Sequence, residues 1–211
     1  MTSLNHILTH QIIAIIRGAE PDDILEIVDA LKSGGIYTLE ITVNSPKAIP
    51  LIERLSGKYG SELLIGAGTV LDTETARAAI LAGAKFIISP TTDLPTITLT
   101  RRYGCVSIPG AFTPTEILHA FEYGGEIIKV FPASLGAGYL KEIQGPLRQI
   151  PLMPTGGVNI ENIREFKNAG AVAFGIGSAL VNTGKTVNDL YLKALAEKAK
   201  AFVAAVSNVQ T

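Results

Sequence analysis

The chain has 211 residues, 47% of them hydrophobic, with 18 basic and 19 acidic side chains for a formal net charge of −1. That length and polarity suit one folded domain, residues 1–211, and the mixed charges lack the basic stripe of a nucleic-acid binder. No apolar run reaches the ~18 residues of a membrane span, and Met1–Gln11 lacks the cationic and apolar pattern of a signal peptide, so a cytoplasmic protein is expected.

Short apolar, strand-like runs occur at 12–17, 36–42, 63–67, 85–89, 104–108, 127–131, 151–155 and 171–176. A short helix is expected before Ile12. Between the runs lie segments such as Asp22–Ser33 and Asp72–Ala82, whose apolar residues fall at helical spacing. Glycines at 34, 60, 83, 104, 124 and 170 stand ahead of strands, where a helix end favours a residue that accepts positive φ. Eight strand–helix units of this size predict a single-domain α/β fold, a compact (β/α)8 TIM barrel with a short N-terminal helix. A doubly wound open sheet is the alternative, with fewer strands and longer units.

In a barrel the chemistry sits at the C-terminal ends of the strands. Those ends carry Arg17; Glu40, Thr42 and Asn44; Gly66 to Thr69; Pro90; Pro109-Gly110; Lys129 and Phe131; Thr155-Gly156-Gly157; and Gly175 to Ser178. Lys129 stands out because it interrupts Ile127-Ile128-Lys129-Val130-Phe131, a run suited to burial on both faces. Burying an ammonium group costs several kcal/mol, so such a lysine tends to shed its proton. An ordinary lysine holds only about 0.1% neutral amine at pH 7.5. A neutral one attacks ketones, which makes Lys129 a candidate Schiff-base residue. Otherwise it is an edge or snorkelling lysine. Cys105, the single cysteine, allows no internal disulfide and reads as a small core residue.

Five stretches in this order resemble the 2-keto-3-deoxy-6-phosphogluconate aldolase family, which includes phosphogalactonate and 2-keto-4-hydroxyglutarate enzymes. They are Leu39-Glu40-Ile41-Thr42, Gly66-Ala67-Gly68-Thr69-Val70, Ile88-Ser89-Pro90, Lys129-Val130-Phe131-Pro132-Ala133 and Pro154-Thr155-Gly156-Gly157. The resemblance runs from Ile12 to about Ala205 and implies a class I aldolase acting on a phosphorylated keto sugar acid. It implies Lys129 as the Schiff-base lysine, Glu40 as general acid/base, and a homotrimer. Thr69 and Thr155 would hydrogen-bond substrate or a catalytic water, and Phe131 would pack on the pyruvyl part. Gly156, Gly157, Gly177 and Ser178 follow strands seven and eight, where amides at a helix start bind phosphate; the helix is expected to begin at Ala179-Leu180.

One position departs from the gluconate pattern. Where most gluconate-type members carry an arginine four residues after the glutamate, this chain has Asn44, followed by Ser45-Pro46. That form, with Arg17 at the end of strand one, looks galactonate-like, while Pro154-Thr155-Gly156-Gly157 looks gluconate-like. Arg17 is the candidate clamp for the substrate carboxylate, since a guanidinium can hold it through two parallel bonds. Thr42, Asn44 and Pro90 complete the expected substrate site.

The three histidines, His6, His10 and His119, fall away from the strand ends, so no metal site and no cofactor is expected. Two other readings stay open at this point. A sugar-phosphate isomerase or cyclase would use Glu40 and Lys129 without a covalent step, and a binding protein would use the pocket without chemistry.

Overall fold

The computed structural model describes residues 1–207. Strands and helices alternate along it except at 106–111, where two short strands follow one another, and every strand pairing is parallel. Helix α1 (Ser3–His10) precedes β1 (Ile12–Ile16); then come α2 (Ile24–Ser33), β2 (Thr38–Thr42), α3 (Ala48–Tyr59), β3 (Leu64–Gly68) and α4 (Thr73–Leu81). The chain continues through β4 (Phe86–Ile88), α5 (Leu94–Arg102), β5 (Val106–Ile108), β6 (Gly110–Ala111), α6 (Pro114–Glu122) and β7 (Ile128–Val130). It ends with α7 (Ala137–Gln144), β8 (Leu152–Pro154), α8 (Ile163–Asn168), β9 (Phe174–Ile176) and α9 (Asp189–Ser207).

Six strands form a curled sheet in the order β5-β4-β3-β2-β1-β9, and three form a second in the order β6-β7-β8. The sheets meet where Pro109 separates β5 from β6 and where an isolated bridge joins Thr155 to Gly175. Pro109 has no N–H to give a ladder, although its carbonyl still accepts from Lys129 N at 2.9 Å. The expected α/β class and strand positions are present, with strand pairing divided at that residue. Among the described residues no helix is long and apolar enough to cross a membrane.

Strand periodicity sorts the core into two layers. Ile12, Ala14, Ile16, Leu39, Ile41, Ile65, Ile87, Ile128, Val130 and Leu152 pack against the helices. The alternate residues Ile13, Leu64, Phe86, Ile88, Val106, Ile108, Ile127 and Met153 fill the interior, and Ile7 of α1 joins them from below. A Cβ on Gly66 would stand 2.4 Å from the Phe86 ring, so the missing side chain is the space that ring occupies. The interior beneath the site is therefore apolar and closely packed.

Two glycines depart from expectation. Gly34 and Gly60 have φ of −84° and −61°, whereas the other four strand-preceding glycines are positive. Gly34 instead permits close packing: a Cβ there would meet Ala199 Cβ of α9 at 2.4 Å. The adjacent Gly35 makes the left-handed turn, at φ +87°.

Candidate active site

Glu40 lies in the middle of β2, level with Ile15 on one side and Gly66 on the other. Lys129 lies in the middle of β7, level with Gly110 and Met153. Both point inward, and they are 1% and 5% exposed. Burial raises the Glu40 carboxyl above the usual carboxylate range, more than Lys129 and Arg17 lower it. Burial lowers the Lys129 ammonium below the usual lysine range, with Glu40 opposing and Arg17 adding. Desolvation thus outweighs mutual attraction on both groups. The ion pairs among the described residues all lie elsewhere, and Glu40 Oε2 is buried without a partner. Lys129 Nζ sits 4.8 Å from the centre of the Phe131 ring.

The sequence makes room for these groups with glycine. A Cβ on Gly68 would fall 1.7 Å from Glu40 Oε1, so any side chain there would evict the carboxylate. A Cβ on Gly175 would fall 2.3 Å from Thr155 Oγ1. Thr155 is buried, and its hydroxyl has no protein partner.

A cavity of about 570 Å3 opens above them. Its wall includes Arg17, Glu40, Thr69, Pro90, Lys129, Phe131 and Thr155, together with Gly156, Gly157, Gly177 and Ser178. Eleven of the thirteen residues singled out from the sequence therefore converge on one opening. Thr42 and Asn44 do not line it. Thr42 is buried and shares a 2.8 Å hydrogen bond with Ser45 Oγ. Asn44 reaches the site indirectly, its Oδ1 accepting from Arg17 Nη1 at 3.3 Å. Arg17 Nη2 donates to Thr69 Oγ1, also at 3.3 Å. Thr69 has φ +59°, an unusual conformation for a β-branched residue and a local strain at the cavity edge.

The same cavity is also lined by backbone donors. Gly156 and Gly157 have φ of +80° and +92°. Among the described residues, the amides of Gly157, Gly177 and Ser178 donate to no protein acceptor, while Gly156 N faces Gly175 O in the Thr155–Gly175 bridge. The expected helix at Ala179-Leu180 is corrected to a single turn. Leu180 N and Val181 N both donate to Gly177 O, at 2.8 and 2.9 Å, and α9 begins only at Asp189. Free amides are present there, without the dipole of a long helix.

Sequence reasoning missed Asn159, Asn182 and Thr183 in the cavity wall. They lie in loops beyond the strand ends, and no periodicity marks them. Among the described residues no group of three or more metal-binding side chains comes together. The His6 and His10 rings lie side by side on α1, with centroids 4.4 Å apart and planes tilted by 48°, and His119 lies on α6, as expected.

The family model for KDPG and KHG aldolase matches residues 4–194. The 2-dehydro-3-deoxy-6-phosphogalactonate aldolase of Escherichia coli is 36% identical, over 92% of this chain and 93% of that one. The 2-dehydro-3-deoxy-phosphogluconate aldolase of Pseudomonas aeruginosa is 39% identical, over 68% and 66%. The KDPG aldolase of Legionella pneumophila, solved with pyruvate captured as a covalent carbinolamine, superposes with a TM-score of 0.82 at 29% identity, covering 99% of each chain. The chain belongs to the KDPG and KHG aldolase family of aldehyde-lyases.

Proposed function

We propose that this chain is a class I aldolase that reversibly cleaves a 2-keto-3-deoxy-6-phospho sugar acid to pyruvate and D-glyceraldehyde 3-phosphate through a Schiff base on Lys129. The observation that carries the reading is the pairing of a buried lysine with a buried glutamate at the floor of one cavity, each with its ionised form disfavoured by burial.

The chemistry follows from those positions. The neutral amine of Lys129 attacks the C2 ketone, and Glu40 shuttles the protons as the carbinolamine forms and loses water. The resulting iminium is an electron sink. When the C3–C4 bond breaks, its electrons pass into the iminium to give an enamine, and Glu40 takes the C4 hydroxyl proton as the aldehyde forms. The enamine then takes a proton at C3, and water releases pyruvate and the free lysine.

Arg17 is suited to the substrate carboxylate, and the free amides of Gly157, Gly177 and Ser178, beside the turn at Gly156, to its phosphate. Between them, the unpartnered Thr155 hydroxyl is suited to a substrate hydroxyl or a catalytic water. Thr69 would serve the carboxylate end, and Phe131 and Pro90 would flank the pyruvyl carbons. The proposed substrate class includes both the gluconate and galactonate epimers and 2-keto-4-hydroxyglutarate. The protein would act in the cytoplasm as a homotrimer, without metal or cofactor; light scattering of the purified chain would check the trimer.

The test is borohydride reduction in the presence of pyruvate, followed by peptide mass mapping. A pyruvyl adduct on Lys129 is the expected result. Folded protein that forms no adduct would remove the covalent mechanism and leave the isomerase or binding-protein readings.

A further inference from the structure

The peptide unit after Arg17 is gripped from both sides. Its carbonyl, Arg17 O, accepts a 2.6 Å hydrogen bond from Thr183 Oγ1 in the loop after β9. Its amide, Gly18 N, donates a 2.8 Å hydrogen bond to Ser45 Oγ in the loop after β2. Those two strands flank β1 in the sheet, so each neighbour of β1 supplies one side of the grip. Ser45 is anchored in turn by its 2.8 Å bond to buried Thr42.

A peptide is a rigid plane, and its one soft motion is rotation about the bonds to the flanking Cα atoms. Pinning the oxygen and the N–H of the same plane removes that rotation and fixes the direction of the Arg17 Cα–Cβ bond. The guanidinium has weaker guidance of its own, from two 3.3 Å bonds at an exposed edge. Gly18 at φ +69° lets the chain turn away at once, so Arg17 sits at the last point the strand can hold. These bonds give a purpose to Ser45, part of the Asn-Ser-Pro departure, and to Thr183, which no strand-end pattern marks.

We propose that Ser45 and Thr183 are positioning residues that clamp the 17–18 peptide and thereby hold Arg17 in the orientation that receives the substrate carboxylate. The proposal rests on the reading of Arg17 as the carboxylate clamp. Neither residue touches the reacting atoms. Loss of either grip lets the guanidinium wander, and the carboxylate must then order it on binding.

The test uses pyruvate itself as the probe. Borohydride trapping is measured against pyruvate concentration for the wild-type chain, Thr183→Val, Ser45→Ala and Thr183→Ser, each also checked for an unchanged melting temperature. Thr183→Val and Ser45→Ala should each raise the half-saturating pyruvate concentration by about 2- to 12-fold, the span of one net hydrogen bond. That loss should fall on half-saturation rather than on the rate at saturation, and Thr183→Ser should restore it. In an Arg17→Met background the same substitutions should add nothing, because the group they position is gone. Unchanged half-saturation in both variants, or an equal further loss without Arg17, overturns the clamp while leaving the aldolase reading intact. A wild-type chain that traps no pyruvate overturns both together.

Discussion

Replacing Lys129 with methionine separates what the lysine does for chemistry from what it does for folding. The two side chains are similar in length, so the replacement leaves little cavity. Two electrostatic effects then compete. In the folded state the Lys129 pKa is lowered, chiefly by burial. Its penalty on stability is therefore full below the folded pKa and fades as pH rises towards 10.5. Each tenfold weakening of proton affinity on folding costs about 1.4 kcal/mol. Methionine removes that penalty at neutral pH.

Against this, Glu40 loses a favourable charge, which pushes its already raised pKa higher. A raised carboxyl costs nothing below its ordinary value of 4.5, and its penalty grows as pH climbs towards the folded pKa. The gain from Lys129→Met should thus be greatest near pH 5.5 and smaller at pH 8. In Lys129→Met/Glu40→Gln both penalties disappear. That double variant should match or exceed the wild type by up to about 4 kcal/mol, the range seen when buried charges give way to neutral groups. For a domain of this size, 1 kcal/mol moves the melting temperature by about 2–4 °C. Calorimetry of the wild type, both single variants and the double variant at the two pH values gives the comparison, and borohydride trapping reports the chemistry. The reasoning is refuted if Lys129→Met loses about 3 kcal/mol or more at pH 5.5, since the ammonium would then be a structural ion-pair partner.

Adduct formation at limiting pyruvate should persist below the pH where an ordinary lysine stops reacting, and fall as pH drops through the lowered Lys129 pKa; a profile centred near 10.5 would contradict the burial effect. Gly68→Ala places a methyl 1.7 Å from Glu40 Oε1 and should cut turnover by at least about 100-fold, from misplacement of a catalytic group, with pyruvate trapping and a melting curve as readouts. Gly66→Ala drives a methyl into the Phe86 ring at 2.4 Å, below the chemistry, and should cost about 1–3 kcal/mol of stability by denaturant titration. Arg17→Lys keeps the charge but loses the two-bond fork, so half-saturation by pyruvate should rise about tenfold with the fold unchanged.

Much of this molecule can be read locally. Alternation of apolar runs with helical segments depends only on neighbouring residues, and it places most strand ends close to where the structure has them. Lys129 is legible for the same reason, because a cation inside a β-branched run is visible without a partner. Asp72 and Thr113 cap α4 and α6 with side chains that accept from residues three positions on, another property of adjacent sequence.

What local pattern leaves open is which strand end meets which. Thr42 and Thr155 both stand at strand ends, yet one hydroxyl is tied to Ser45 and the other stands free beside the cavity. Gly66, Gly68 and Gly175 look alike in the sequence, but they are the spaces filled by Phe86, Glu40 and Thr155 from neighbouring strands. The division of the sheet at Pro109 and the clamp on Arg17 likewise join residues far apart in the chain. The sequence by itself determined the strand–helix order and the chemical types at the strand ends, because propensity and periodicity act over a few residues. Only the tertiary structure decided the register and curl of the sheets, and with them which side chains share the cavity, because those contacts arise between strands that lie far apart in the chain.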